Sequence, residues 1–374
     1  MKESETRVRA STIGRRDFMK IGAGGGALMS MLIADGAAAQ KQSAWETQPS
    51  KKGFGRPYSI DMHSHWTPAS YLKAQSEMGH RQSNDHPLYA DLPGRVKWMD
   101  EREIQIHVLT LDGGSPWQWA TTEQAVGLAQ IHNDGAIEAH KAYPDRFIGA
   151  IAMGPRDPAT ALKELNRVAG QPGMRAVQLP DSYDRRDYVF EPAFEPILAR
   201  CEELGYPLLF HQIAGPDTAY GGNRMAGRPN LSSALDAPIS RAALAAKFIV
   251  TGTLDKFPKL DIVLQHAGGA FPYIAGRIEH FLYNYPERNT PPVVKLARPF
   301  KEYLRRFHYD YLVYYPEALR FLIDLVGSDR VVIGTDLFAA RDIQYPNAVL
   351  DQFNLAAKDR DLILRGNARR LLHL

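Results

Sequence analysis

The sequence contains a single cysteine, Cys201, among its 374 residues. A lone thiol excludes an intrachain disulfide and a metal site built from several thiolates, so any metal ion has to be held by His, Asp or Glu. The chain also lacks an excess of one charge, because 45 basic and 42 acidic residues give a formal net charge of +3. Nucleic-acid binding and polybasic membrane binding therefore have no support in the composition.

A long hydrophobic run is missing as well. The apolar stretch Ile21–Ala34 is short and carries glycines at positions 22, 24, 25 and 26. Such a stretch is too short to span a bilayer, so no stable membrane anchor is expected. With 44% hydrophobic and 23% charged residues, the composition also excludes an intrinsically disordered chain.

The N-terminus has the layout of an export signal. Arg15 and Arg16 precede Phe18 and Lys20, the short apolar stretch follows, and alanines 37–39 offer a small-residue cleavage site. This pattern resembles the twin-arginine signal, which directs export to the periplasm. A basic tail that leads into an ordinary helix is the alternative.

The chain is expected to divide into a signal peptide at 1–39, a polar linker at 40–57 and one large domain at 58–374. In that domain, short β-branched or aliphatic runs alternate with amphipathic segments, which is typical of parallel strands joined by helices. Eight such strands favour a closed barrel over an open, doubly wound sheet. The predicted strands are Tyr58–His63, Ile106–Leu111, Phe147–Ala152, Ala176–Leu179, Pro207–His211, Asp261–His266, Phe307–Tyr311 and Arg330–Gly334.

Four predicted strand ends carry residues that bind metals. His63 and His65 end the first strand, and residues two apart on a strand face the same side. His211 and His266 end strands five and six, and Asp336 follows strand eight. In a parallel barrel these ends meet at one rim. Imidazoles and a carboxylate bind a divalent ion such as zinc, and an unligated histidine serves as general acid or base.

Two further aspartates belong to other strands of the same predicted barrel. Asp181 follows the fourth predicted strand and Asp310 lies on the seventh. Both either line the pocket or satisfy backbone donors, and the sequence leaves these two interpretations open.

Several motifs then occur in a fixed order. They are Ile60-Asp61-Met62-His63-Ser64-His65, then His266-Ala267-Gly268-Gly269-Ala270-Phe271 followed by Gly276-Arg277-Ile278-Glu279, then Asp329-Arg330-Val331-Val332-Ile333-Gly334-Thr335-Asp336, and finally Gly366-Asn367-Ala368. Together they resemble the amidohydrolase superfamily, in the branch of amino-carboxymuconate-semialdehyde decarboxylase and its relatives. The resemblance covers residues 58–374 and implies an α/β fold, the (β/α)8 TIM barrel of metal-dependent hydrolases.

The resemblance also implies roles for individual residues. The implied metal ligands are His63, His65, His211 and Asp336. His266 corresponds to the catalytic histidine, and Asp336 shuttles a proton while it ligates. Arg277 corresponds to an arginine that binds a substrate carboxylate across a dimer interface, which implies a homodimer.

A single divalent ion is expected, zinc or alternatively manganese. Members of the superfamily with two metals need a bridging residue, typically a modified lysine, at the end of strand four. That segment, Ala176–Pro180, contains neither lysine nor glutamate.

The function expected from the resemblance is metal-dependent, non-oxidative decarboxylation of an aromatic or unsaturated carboxylic acid, with a small carboxylate as substrate. The alternative is a hydrolase or hydratase on the same fold, acting on a lactone, ester, amide or double bond. A periplasmic binding protein with a vestigial site is disfavoured, because all five rim residues are intact.

Overall fold

The fold is seen in a computed structural model that describes residues 58–80, 86–111, 115–183, 186–212, 229–337 and 345–374. The predicted signal peptide and linker, residues 1–57, lie outside this part of the chain. No helix in the described ranges is both long and apolar enough to cross a membrane.

Eight strands form one sheet in which every strand pairs in parallel with the next one along the chain. The strands are β1 (Ser59–His65), β2 (Ile104–Thr110), β3 (Phe147–Ala152), β4 (Met174–Pro180), β5 (Leu208–His211), β6 (Ile262–Leu264), β7 (Phe307–Asp310) and β8 (Val331–Val332). Parallel bridges Asp61–Ile333 and Ser64–Leu337 join the β8 segment to β1 and close the barrel. The predicted TIM barrel is confirmed.

Helices connect the strands on the outside. They are α1 (Ala69–Glu77), α2 (Leu92–Glu101), α3 (Thr122–Ala142), α4 (Pro158–Val168), α5 (Glu195–Leu204), α6 (Pro229–Val250), α7 (Thr253–Lys256), α8 (Phe271–Tyr283), α9 (Phe300–Tyr303), α10 (Pro316–Val326), α11 (Pro346–Leu350), α12 (Ala357–Asp361) and α13 (Asn367–Leu372). Local signals set some of their starts: α3 begins with a capping box between Thr121 and Gln124, and Asp157 caps α4.

Two apolar layers hold the barrel together. A small cluster of fully buried strand residues includes Ile60, Val108, Ala150 and Leu209. A much larger cluster lies between the strands and the surrounding helices, and includes Phe210 and Phe248. The strands are thus buried on both faces, as parallel strands usually are.

The structure shifts several of the predicted strand ends, and the sixth and eighth strands end earlier than predicted. The sixth strand ends at Leu264 rather than at His266, because His266 and Ala267 adopt left-handed backbone angles, with φ of 52° and 53°, which a strand cannot contain. The eighth strand is only Val331–Val332, shorter than the predicted Arg330–Gly334. Both corrections fall at the carboxyl edge of the barrel.

Candidate metal centre

The five residues predicted at the rim come together at the carboxyl ends of the strands. Ligand-capable atoms of four of them all lie within 4.8 Å of one another, which is a metal-binding arrangement; they belong to His63, His211, His266 and Asp336. His65 lies beside this group, with its ring centroid 5.2 Å from that of His63 and 4.6 Å from that of His211. The predicted convergence of these strand ends is therefore observed.

A bulge in β1 accompanies the first two histidines. Asp61 pairs with His107 and Ser64 pairs with Leu109, so β1 advances three residues while β2 advances two. Such an insertion changes the direction of side chains beside functional sites. His63 lies within the bulged segment, at the start of the site.

The hydrogen bonds of three histidines fix which ring nitrogen carries the proton. The Nδ1 atoms lie next to acceptor oxygens: His63 to Asp310 Oδ2 at 2.8 Å, His65 to the Leu111 carbonyl at 2.9 Å, and His211 to the Gln212 carbonyl at 2.7 Å. Each Nδ1 therefore donates, so Nε2 is the nitrogen that each ring would offer to a metal ion. Metal-binding histidines are oriented in this way.

The Nε2 atoms of His63 and His211 are buried and have no hydrogen-bond partner among the described residues. His63 Nε2 and His65 Nε2 lie 3.1 and 3.0 Å from the same oxygen, Asp336 Oδ1. Donor atoms bound to one ion at about 2.1 Å lie about 3.0–3.4 Å apart for octahedral or tetrahedral angles. The separations of these three atoms therefore fit donors arranged around one divalent cation.

The charges at the site favour a cation. Burial raises the pKa of Asp336, but the charge of the His63 imidazole and the hydrogen bonds from His266 and His65 outweigh it and hold the pKa well below its usual range. Burial lowers the pKa of His63, yet Asp336 and Asp310 outweigh it and raise the pKa to about 9. Burial and the neighbouring imidazoles lower the pKa of His211. The ionised carboxylate of Asp336 thus stabilises positive charge at the neighbouring His63 imidazole.

Asp61 joins the two chain segments that carry His63 and Asp336. Its Oδ1 accepts from the backbone N–H of His63 at 3.0 Å and of Thr335 at 3.1 Å, and its Oδ2 accepts from the Thr335 hydroxyl at 2.5 Å. Glycine at position 334 lets the backbone of this segment lie close to Asp310 and His63. A Cβ at Gly334 would lie 2.7 Å from Asp310 Cβ and 2.9 Å from His63 Cβ.

His266 differs from the other histidines of the site. Its side chain is 17% exposed, whereas those of His63 and His65 are 0% and 1% exposed. Its Nε2 faces the second oxygen of Asp336, Oδ2, at 3.4 Å. The two oxygens of one carboxylate therefore have different partners.

The structure does not place Arg277 with these five residues. Arg277 is exposed on α8, and its guanidinium lies 4.7 Å from the centroid of the Phe281 ring. Among the described residues, no hydrogen bond or ion pair connects Arg277 to the site. Within a single chain, its predicted contact with substrate stays a prediction.

Sequence reasoning missed Arg241 on α6. This arginine is fully buried and donates to the Asp181 carboxylate, to the Phe210 carbonyl and, at 3.0 Å, to Gln212 Oε1. It thereby holds the residues on both sides of His211. The signal in the sequence is an arginine within the otherwise apolar face of a helix, which requires a buried partner.

Comparison with known proteins agrees with the fold. A family model described as Amidohydrolase matches residues 60–374. The chain is 27% identical over 343 residues to a 2-amino-3-carboxymuconate-6-semialdehyde decarboxylase of Dictyostelium discoideum, covering 85% of this chain and 92% of the relative. It is 26% identical over 337 residues to a gamma-resorcylate decarboxylase of a Rhizobium species, covering 86% and 96%.

Solved structures of other proteins have the same fold. The 5-carboxyvanillate decarboxylase of Sphingomonas paucimobilis superposes with a TM-score of 0.73 at 23% identity, covering 85% of this chain and 100% of that one. A 5-carboxyvanillate decarboxylase of Novosphingobium aromaticivorans, crystallised with manganese, gives a TM-score of 0.72 at 22% identity, covering 88% and 99%. At these identities the likeness establishes the barrel fold.

Proposed function

Since the chain belongs to the amidohydrolase family, we propose that it is a metal-dependent, non-oxidative decarboxylase of an aromatic or unsaturated carboxylic acid. The observation that carries this proposal is the convergence of buried imidazole nitrogens and one carboxylate at the rim of the barrel. Curated relatives that cover most of the chain are decarboxylases of such acids, which supports the same chemistry here.

We propose that His63, His65, His211 and Asp336 hold a single divalent ion and that His266 carries the proton. His63 and His65 approach Asp336 Oδ1, whereas His266 approaches Oδ2 from the more exposed side. An ion bound on the Oδ1 side of Asp336 would leave His266 free to hydrogen-bond Asp336 Oδ2. Nitrogen and oxygen donors suit both zinc and manganese, and a manganese-bound neighbour supports the second.

The reaction needs no oxidant. A divalent ion, when bound, would polarise a carboxylate or phenolic oxygen of the substrate. As the bond to the carboxylate breaks, carbon dioxide leaves and the electron pair stays on the substrate carbon, which takes a proton from His266 Nε2. Before this transfer, Asp336 Oδ2 accepts a hydrogen bond from the same Nε2–H and holds the ring in place. His266 then recovers a proton from solvent, with which its side chain is in contact.

A substrate screen tests the proposal. The purified protein, reconstituted separately with zinc and manganese, is offered hydroxybenzoates, carboxyvanillate, muconates, lactones and esters, and both carbon dioxide and ring opening are followed. Release of carbon dioxide from an aromatic or unsaturated acid is expected, with His266→Asn as the inactive control. Lactone or ester cleavage without carbon dioxide would instead establish the hydrolase alternative.

We propose further that the active unit is a homodimer in which Arg277 binds the anionic substrate of the neighbouring chain. The surroundings of Arg277 support this. Tyr273 on the same helix is 84% exposed, Phe281 is 44% exposed and Phe321 on α10 is 45% exposed. Clustered exposed aromatic side chains of this kind mark contact surfaces between proteins.

We also propose that the protein is exported to the periplasm. The support is the Arg15-Arg16 motif with its apolar stretch and cleavage site. In a host with a working twin-arginine pathway, the double variant Arg15→Lys, Arg16→Lys should stay in the cytoplasm, as measured by cell fractionation. Equal periplasmic yield of the variant and the wild type would contradict the proposal.

A further inference from the structure

We propose that Asp310, the last residue of β7, is a positioning residue that sets the tautomer of His63 and holds the turn carrying His266. Asp310 would thus prepare both the metal-binding side and the proton-carrying side of the site. The inference rests on the proposed metal centre but is independent of which reaction occurs there.

The carboxylate of Asp310 is fully buried and surrounded by donors. Its Oδ2 lies 2.8 Å from His63 Nδ1 and accepts from the backbone N–H of His266 at 2.9 Å. Its Oδ1 accepts from the backbone N–H of Ala267 at 2.8 Å and of Leu312 at 3.1 Å. Because an ionised carboxylate only accepts, His63 Nδ1 has to be the donor in this arrangement.

The turn after β6 needs this support. His266 and Ala267 are consecutive residues with φ of 52° and 53°, a left-handed conformation that residues with a side chain usually avoid. The N–H groups of both point at Asp310. The carboxylate therefore compensates for the strained backbone at the residue whose side chain faces Asp336.

The change Asp310→Asn keeps the shape of the side chain but replaces one of its two acceptor oxygens by an NH₂ donor. If the new NH₂ replaces Oδ2, it faces His63 Nδ1–H and the His266 N–H; if it replaces Oδ1, it faces two backbone N–H groups. Backbone amides cannot lose their protons, whereas an imidazole can move its proton to the other nitrogen. We therefore expect the first orientation, with His63 shifting its proton to Nε2 and losing the lone pair that faces the metal position.

Asp61, on β1, offers a control, because it is an aspartate buried as fully as Asp310. Its Oδ2 accepts from the Thr335 hydroxyl and lies 3.4 Å from His107 Nε2. Both the hydroxyl and a neutral imidazole nitrogen can act as acceptors when Asp61 becomes asparagine. Asp61→Asn thus introduces the same buried amide without forcing a change of tautomer on His63.

The experiment measures binding of zinc or manganese alone, by competition with a chromophoric chelator, together with circular dichroism and the thermal midpoint of each metal-free variant. Loss of a partner that orients a metal-bound histidine typically lowers metal affinity about 10–100-fold. We expect that loss for Asp310→Asn and a smaller loss for Asp61→Asn, because only the first change forces His63 to move its proton. A folded Asp310→Asn that binds metal as tightly as the wild type would overturn the proposal.

A second measurement needs no folded variant at position 310. The ¹⁵N spectra of the histidines are recorded on the zinc-loaded wild type, and the signals of His63 are identified by their absence in His63→Gln. Nδ1 of His63 should be protonated, and Nε2 of His63 should show the chemical-shift change caused by metal binding. The opposite assignment would refute the role of Asp310. Neither measurement uses a substrate, so a failed substrate screen leaves this test intact.

Discussion

The exchange of His266 for alanine should leave the metal in place and remove most of the turnover. His266 Nε2 lies 3.4 Å from Asp336 Oδ2, on the opposite oxygen from the one that His63 and His65 approach. A general acid or base contributes about 10²–10⁴-fold in rate, so kcat of His266→Ala should fall by that order. Its metal content after dialysis should match that of the wild type.

The companion variant His65→Ala should behave in the opposite way. His65 Nε2 is 3.0 Å from Asp336 Oδ1, and the Leu111 carbonyl fixes its Nδ1–H at 2.9 Å. Deleting a ligand should weaken binding at least as much as deleting its hydrogen-bond partner, which is about 10–100-fold. The variant should lose metal and activity together, and excess metal should restore part of the activity.

Elemental analysis and steady-state kinetics on the two variants, each with and without added metal, separate the two roles. Excess metal should not rescue His266→Ala, because in that variant the missing group is the proton carrier. If purified His266→Ala has lost its metal while His65→Ala retains it, the ligand is His266 and our assignment is reversed. Circular dichroism shows whether either variant is misfolded.

Three further perturbations test other parts of the structure. Removing the metal with a chelator should lower the thermal midpoint, because an ion present at 100 times its Kd stabilises the fold by about 2.7 kcal/mol; an unchanged midpoint would argue against a bound ion. Arg277→Ala should raise KM without changing the metal content, and mixing it with His266→Ala should restore some activity; a fully active monomer in light scattering would contradict the role across the interface. Burial lowers the pKa of His132 from 6.5 to about 3. The unfolded chain therefore binds this proton more readily, and stability should decline as the pH falls below 6.5 towards 3; a denaturant titration of His132→Gln should show a shallower decline, and an equal slope would refute this contribution.

The sequence predicts the barrel well because its signals are local and periodic. Each apolar run followed by an amphipathic segment specifies a strand and a helix, and parallel topology then brings the strand ends to one rim. That is why His63, His65, His211, His266 and Asp336 could be selected without a structure. The pairing of each strand with the next confirms the prediction.

The turn at His266 could not be predicted in the same way. Its left-handed backbone is supported by Asp310, which lies 44 residues away in the sequence, and His63 is 247 residues from the same carboxylate. Local propensity favours continuation of the strand, since neither His nor Ala prefers this conformation. Of the two interpretations of Asp310, the structure confirms the one in which it satisfies backbone donors.

Arg241 shows the same limit for a single side chain. Its partner Asp181 is 60 residues away, on the far side of a strand and a helix. From the sequence, an arginine in an apolar helical segment indicates only that some buried acceptor exists. Which strand end it holds depends on how α6 packs against the barrel, and that packing is a property of the whole fold.

The seam between β8 and β1 relates the metal centre to the stability of the barrel. β8 has only two residues, so closure depends on single contacts: the N–H groups of Met62, His65 and Asp336 donate to the carbonyls of Ile333, Leu337 and His63 at 2.9, 2.6 and 2.9 Å. His63 and Asp336 lie on opposite sides of this seam. An ion held by both would add a cross-link where only isolated bridges join the two strands. The stabilisation expected from metal binding should therefore act on closure of the barrel itself.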